Sequence, residues 1–276
     1  MRIGGAILNK PVILITGASS GIGAATARLF SERGYHVVLA ARREDRLRAL
    51  ADEIEAAGGQ ALPVPTDITR LDHIENLVET SLAWYGQIDV LFNNAGFGRL
   101  KWLEQLDPDE DIELQLQTNL RGAILTTRVV LPHMIERRAG HIINMASIAG
   151  LIGPPTYSIY SATKFGLRGF TEALRREVGI WGIRVSGIYP GGVATEFGQH
   201  TGIDRRTGLR TPAFLRLSAE DVARDVYRLV ERPRRMLIIP WPMRIAVWLN
   251  VLWPGVVDWG IQRIFTIRER PPRGLH

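Results

Sequence analysis

Continuous apolar, β-branched runs recur along the chain at 12–15, 36–40, 61–64, 88–92, 141–145 and 183–188, with 237–239 as a seventh. They do not alternate with polar residues, so they read as strands buried on both faces. Between them, apolar positions fall at helical spacing over about 21–33, 43–57, 70–85, 111–137, 158–180 and 218–231. Strand and helix alternating through short connections predict an α/β fold: a doubly wound parallel sheet of about seven strands with helices on both faces. No repeat, low-complexity tract or interdomain linker interrupts the pattern. One domain over residues 1–276 is expected, with 236–276 as a hydrophobic C-terminal helical extension of it.

Composition changes this picture little. At 46% hydrophobic and 22% charged, 276 residues are ordinary globular material with enough length for a core. The absence of cysteine excludes disulfides and thiolate metal sites, and no metal is expected. The N-terminal Met1-Arg-Ile-Gly-Gly-Ala-Ile-Leu-Asn-Lys-Pro11 is too short and too weakly apolar to read as a secretory signal. The net charge of +6 is uneven: residues 1–200 sum to −1 and residues 201–276 to +7. The basic end reads as a solvated surface or as attraction to an anionic partner. No recognisable nucleic-acid module accompanies it, so nucleic acid is not an expected partner.

The first candidate chemistry is the turn Thr16-Gly-Ala-Ser-Ser-Gly-Ile-Gly23, between a strand and a helix. Gly17 allows a tight turn, Gly21 lets backbone approach a ligand, and Gly23 lets helix pack on strand. The helix N-terminus then offers N–H groups and positive potential to a pyrophosphate. A carboxylate ending the second strand would take the ribose 2′-OH of NAD. This chain has Arg42 and Arg43 there, a pair suited to a 2′-phosphate, which points to NADP(H). Glu44 and Asp45 follow as acids of the first helical turn.

The second candidate is Tyr160 with Lys164, four apart in a helical stretch and so on one face. A free phenol titrates near about pH 10, and a neighbouring cation is expected to pull it down. Ser147, thirteen residues before Tyr160 at the end of a strand, places a hydroxyl to hold a substrate oxygen against the phenol. Taken alone, the Tyr/Lys spacing also suits plain packing with a solvated tip. Tyr157, seven residues before Lys164 and so on the same face, is a rival phenol, read here as a pocket wall ahead of the helix.

In order and spacing, these motifs resemble the short-chain dehydrogenase/reductase family in its common single-domain branch, over roughly residues 10–235. The resemblance rests on the 16–23 turn, Asp67, Asn93-Asn-Ala-Gly96, Asn119, Ser147, Tyr160 with Lys164, and Pro190-Gly191 with Thr195. It implies a Rossmann-type fold and an oxidoreductase acting on a CH–OH group, interconverting a small-molecule carbonyl and alcohol. Tyr160 would exchange the proton, Lys164 lower the phenol pKa and hold the nicotinamide ribose, Ser147 orient the oxygen, and Asn119 hold a water leading from the lysine. Asp67 would bind the adenine amino group. Asn94, Ala95 and Gly96 would frame the cofactor floor, with Asn93 read as structural. Pro190, Gly191, Val193 and Thr195 would wrap the nicotinamide side. Ser19, Ser20, Ile22 and Ile68 complete the implied cofactor contacts. A homodimer or homotetramer is implied as well. A non-catalytic NADP(H)-binding scaffold is the alternative from another class, and isomerase or dehydratase chemistry a third.

The extension departs from this pattern. Four of the seven tryptophans stand at 241, 248, 253 and 259, and 245–257 is apolar but for Asn250 and the break at Pro254. Thirteen such residues fall short of the about 20 that span a bilayer. Three arrangements are open: helices packed on the core or closing the pocket, a subunit interface, or peripheral membrane attachment through tryptophan and arginine. A cytoplasmic protein, membrane-associated in the third case, is expected, with a bulky apolar substrate. The 191–217 segment reads as the lid over that substrate.

Overall fold

In the computed structural model, residues 10–194, 212 and 215–270 are described. Seven parallel strands form one sheet in the order β3-β2-β1-β4-β5-β6-β7: β1 (Val12–Thr16), β2 (His36–Ala41), β3 (Gln60–Pro65), β4 (Val90–Asn93), β5 (Gly140–Met145), β6 (Ile183–Pro190) and β7 (Met236–Ile239). Helices α1 (Gly21–Glu32), α2 (Glu44–Ala56) and α3 (Leu71–Tyr85) join the first four strands. The chain then runs through α4 (Leu114–Leu116), α5 (Gly122–Arg137), α6 (Ser158–Val178) and α7 (Ala219–Glu231).

Successive side chains of a strand point to opposite faces, and the core divides accordingly. Ile13 and Ile15 join Phe30, Leu47, Phe92 and Val226 on the face of α1, α2 and α7. Val12 and Leu14 join Leu77, Leu91, Val130, Met134 and Leu174 on the face of α3, α5 and α6. Beside β1 lie both β2 and β4, so the chain leaves β1 one way and returns on the other side. That reversal opens a crevice at the carboxyl ends of the strands, where the binding residues gather.

Two boundaries differ from the sequence pattern. β4 starts at Val90 rather than at residue 88. Ile88 instead donates to His133 Nε2, and the Asp89 carboxylate takes the Val12 N–H at 2.7 Å and Arg137 at 2.9 Å. The helical run expected from 111 opens at Pro108, because the Asp107 carboxylate caps the N–H groups of Asp109 and Glu110. Two π-helical stretches, Pro108–Glu113 and Gln117–Arg121, interrupt this run before α5.

The extension forms α8 (Met243–Leu252), α9 (Pro254–Ile261), a π-helical turn Gln262–Thr266 and α10 (Ile267–Glu269). The expected extension begins too early, since 236–239 are β7 and Ile239 is in the core; past it, none of residues 241–270 is buried. Val247 of α8 packs on the Ala146, Leu151 and Tyr189 cluster. At the far end, Arg270 pairs with Glu104 at 2.7 Å and lies over the Trp102 ring. No helix among the described residues is long and apolar enough to cross a membrane.

Candidate active site

The turn after β1 is fixed by sterics. Gly17 has φ +69°, and a Cβ there would lie 2.8 Å from the Ala95 Cα. A Cβ on Gly23 would collide with the Gly17 carbonyl oxygen. Thr16 locks this turn to the segment after β4: its Oγ1 accepts the N–H of Asn94 (3.0 Å) and of Ala95 (3.1 Å). The Asn94 side chain in return donates to the Thr16 carbonyl at 3.0 Å. Ser20 is the extended residue before α1, Ile22 is half-buried in its first turn, and no acid occupies that turn. The N-terminus of α1 therefore keeps its positive potential for an anion.

Beside this turn, Arg43 donates to Ser19 Oγ at 3.0 Å and to Ser20 Oγ at 2.8 Å. Arg42 stands exposed next to it. Glu44 and Asp45 sit in the first turn of α2, as read, and Glu44 is taken by Arg48 at 2.9 Å. Asp67 accepts the Thr69 N–H at 2.9 Å and its hydroxyl at 2.8 Å. Partial burial works to raise its pKa, but these bonds and the charges of Arg42 and His73 outweigh it and hold the carboxyl below the usual value. Ile68 is buried with its side chain against Gly122, so only its backbone is left to meet a ligand.

Ser147, Tyr160, Lys164 and Asn119 converge at the ends of β5 and α6, and all four are buried. The Ser147 side chain acts on the Tyr160 phenol, favouring its ionised form. Ser147 Oγ also accepts the Ala149 N–H at 3.1 Å, which fixes its direction. The Lys164 ammonium donates to the Met145 carbonyl at 2.8 Å and lies 5.6 Å from the centroid of the Tyr160 ring. Asn119 falls in the second π-helical stretch; it accepts from the Phe97 N–H (2.9 Å) and donates to the Phe97 carbonyl (2.8 Å). Its amide also reaches Thr163 Oγ1. Gly96 leaves room here, since a Cβ on it would stand 3.0 Å from Asn119 Oδ1 and 3.5 Å from Lys164 Nζ.

The electrostatics correct one expectation. Tyr160 is pushed up, not down: burial outweighs the lowering effect of the Ser147 side chain, and Tyr157 adds to the rise. Burial also pulls Lys164 down to about 8, so the same dry setting disfavours both charges. Tyr157 precedes α6, stacks edge-on to Tyr160 at 6.1 Å, and joins Leu100 and Ala149 as an apolar wall.

On the other side, Pro190 ends β6 buried and the Gly191 N–H donates to the Ile239 carbonyl at 2.7 Å. Val193 bridges to Leu217. Thr195 and most of the expected lid lie outside the described residues. Asn93 is internal, as read, donating to Thr127 and to Asn144 at 2.9 Å each. Three participants had no signal of their own in the sequence: the Met145 carbonyl, Thr163 behind Asn119, and Thr16 as a clamp. Helical spacing from Tyr160 would have found only Thr163. Among the described residues no cluster of His, Asp or Glu could hold a metal.

The chain belongs to the short chain dehydrogenase family, whose profile matches residues 11–206. An uncharacterized oxidoreductase of Staphylococcus saprophyticus is 41% identical over 192 residues, covering 68% of this chain and 76% of that one. The closed form of serine dehydrogenase complexed with NADP+ superposes with a TM-score of 0.75 at 33% identity, covering 83% of this chain and 94% of the other. A short chain dehydrogenase/reductase from Burkholderia phymatum in complex with NAD gives a TM-score of 0.80 at 26% identity, covering 93% and 97%. The protein is thus an oxidoreductase of this family, built on its doubly wound sheet.

Proposed function

We propose that this chain is an NADP(H)-dependent oxidoreductase that interconverts a carbonyl and an alcohol on a bulky apolar substrate. The observation that carries the reading is the convergence of the buried Ser147, Tyr160 and Lys164 side chains, with the Lys164 ammonium 5.6 Å from the centre of the phenol ring.

The donor set fits a phosphorylated dinucleotide. Gly17 and Gly23 let the turn close tightly on Ala95 and on itself, where a Cβ would strike backbone, and the α1 N-terminus it presents suits the pyrophosphate. Arg43, with Ser19 and Ser20, offers the forked donors that a 2′-phosphate takes, and Arg42 adds charge. Asp67 would meet the adenine, and Asn94, Ala95, Gly96, Pro190, Gly191 and Val193 would line the rest. A neighbour with NADP+ and one with NAD share this fold, so Arg43 is what favours the phosphorylated form here.

When bound, the nicotinamide supplies or accepts the hydride. The remaining work belongs to the chain. Ser147, its hydroxyl fixed by the Ala149 N–H, donates to the substrate oxygen and polarises it. Tyr160 gives that oxygen its proton in reduction and takes one from the alcohol in oxidation. A buried phenol leaves as phenolate only beside a cation, and Lys164 is that cation. Asn119, held by both backbone groups of Phe97, keeps the π-helical turn against Gly96 and Lys164. Leu100, Ala149 and Tyr157 make the wall apolar, which suits an apolar carbonyl.

A panel of carbonyls from small aldehydes to long-chain and polycyclic ketones, followed by NADPH oxidation against NADH, tests the reading. Turnover of apolar ketones with NADPH is expected. No turnover of any member, with tight NADPH binding, would overturn it.

A further inference from the structure

We propose that α8, α9 and the turns after them dock the protein on an anionic membrane surface, with the mouth of the site facing the bilayer. The reading of the site as carbonyl–alcohol chemistry enters only in what such docking would deliver: an apolar substrate dissolved in lipid.

The extension is built inside out for a soluble helix. Ile245, Trp248, Leu249 and Leu252 fall at i, i+3, i+4 and i+7, one face of α8, and are 43–63% exposed. The opposite side, carrying Val247, is the one that packs on the protein. Val256 and Trp259 of α9 and Ile264 and Ile267 beyond it are exposed apolar side chains as well. With aromatics contributing as they do, the eight side chains present on the order of 1,000 Å², against the few hundred Å² a soluble monomer exposes in one patch.

Charge selects the occupant. Residues 241–270 hold Arg244, Arg263, Arg268 and Arg270 against Asp258 and Glu269, and with Arg270 paired to Glu104 a net charge of +1 remains. A second copy related by a two-fold axis would bring the same basic patch onto itself. An anionic headgroup layer takes it without that repulsion. Arg263 sits over the Trp259 ring at 5.3 Å, a guanidinium and an indole at one level, which is the pairing of the membrane–water interface. The ten residues of α8 are about 15 Å long, half of the about 30 Å hydrocarbon core. Their length therefore allows attachment to one leaflet and no crossing.

Position joins this surface to the site. α8 follows β7 at the carboxyl edge of the sheet, where Ser147 and Pro190 lie. Arg270 ties the far end to Glu104 and Trp102, on the loop that follows β4.

Flotation of the full chain with vesicles of phosphatidylcholine alone, or mixed with phosphatidylglycerol, tests the proposal. The protein should float with the mixed vesicles, and added salt should weaken this. Trp248→Glu with Trp259→Glu, and separately Arg263→Glu with Arg268→Glu, should each reduce partitioning at least about tenfold with circular dichroism unchanged. Wild-type protein left in the soluble fraction with mixed vesicles overturns the proposal, as does unchanged flotation of both variants. So does a dimer that the tryptophan pair converts to monomer while the wild type fails to float, which would assign the face to a second copy. Should a variant misfold, tryptophan emission of the wild type decides: a blue shift on adding mixed vesicles supports docking, and none overturns it. Oxidation of NADPH by a water-soluble ketone, unchanged in the tryptophan pair, reads the chemistry separately, so either result can fail alone.

Discussion

The Lys164 ammonium is held by the Met145 carbonyl at 2.8 Å and lies 5.6 Å from the centre of the Tyr160 ring. The last residue of β5 thus aims a cation carried by α6. Both side chains are buried, so the lysine is the nearest means of stabilising a phenolate and is itself held at a cost in stability.

That cost has a pH dependence. Lys164 titrates at about 8 in the folded chain against 10.5 in the unfolded one. Below pH 8 both states are protonated and the folded state carries the full penalty. Between 8 and 10.5 the unfolded chain binds a proton that the folded chain has released, so this group's contribution to stability rises with pH. Lys164→Met should therefore be more stable than wild type at pH 7, by about 2 kcal/mol, and the gap should close toward pH 10. Urea denaturation of both proteins at the two pH values measures it. A gap independent of pH contradicts the assignment.

Cofactor choice should rest on Arg43. Removing a charge-assisted, forked contact to a phosphate costs about 2 kcal/mol. Arg43→Ala should raise the KM for NADPH about 10- to 100-fold and leave that for NADH nearly unchanged. Arg42→Ala, exposed and without that fork, should do less. Steady-state kinetics with both cofactors checks this, and equal loss for both would reassign Arg43 to the general fold.

The buried ladder from Asn93 through Asn144 to Thr171 ties β4, β5 and α6 together just below Lys164. Asn144→Leu takes one partner each from Asn93, which keeps Thr127, and from Thr171, which keeps the Leu167 carbonyl, and should cost roughly 1–3 kcal/mol. In a double-mutant cycle with Thr171→Val the two changes should be markedly less than additive. Additive losses would show that the ladder is not one network.

Much of this was legible in the sequence for a physical reason. The five inner strands are buried on both faces and so are largely apolar and legible. β3 and β7, at the sheet edges, are only partly buried, against the expectation, and were read from their short apolar runs, while the turn at Gly17 to Gly23 needs glycine by sterics. Backbone partners left no trace. Nothing in residue identity marks the Met145 carbonyl as the lysine's acceptor, or Phe97 as the partner of Asn119. The π-helical stretch around Asn119 was also hidden. The expected drop in the Tyr160 pKa failed because spacing shows proximity and not burial, and burial won. The extension reads as apolar in the sequence, but which side it would turn outward depended on how α8 leaves β7.

The central claim is tested most directly by Tyr160→Phe, which removes one oxygen and keeps the ring. NADPH binding, followed by cofactor fluorescence, should stay within about twofold of wild type, while kcat falls at least about a thousandfold. Full turnover in this variant would contradict the account, whatever the cofactor or substrate.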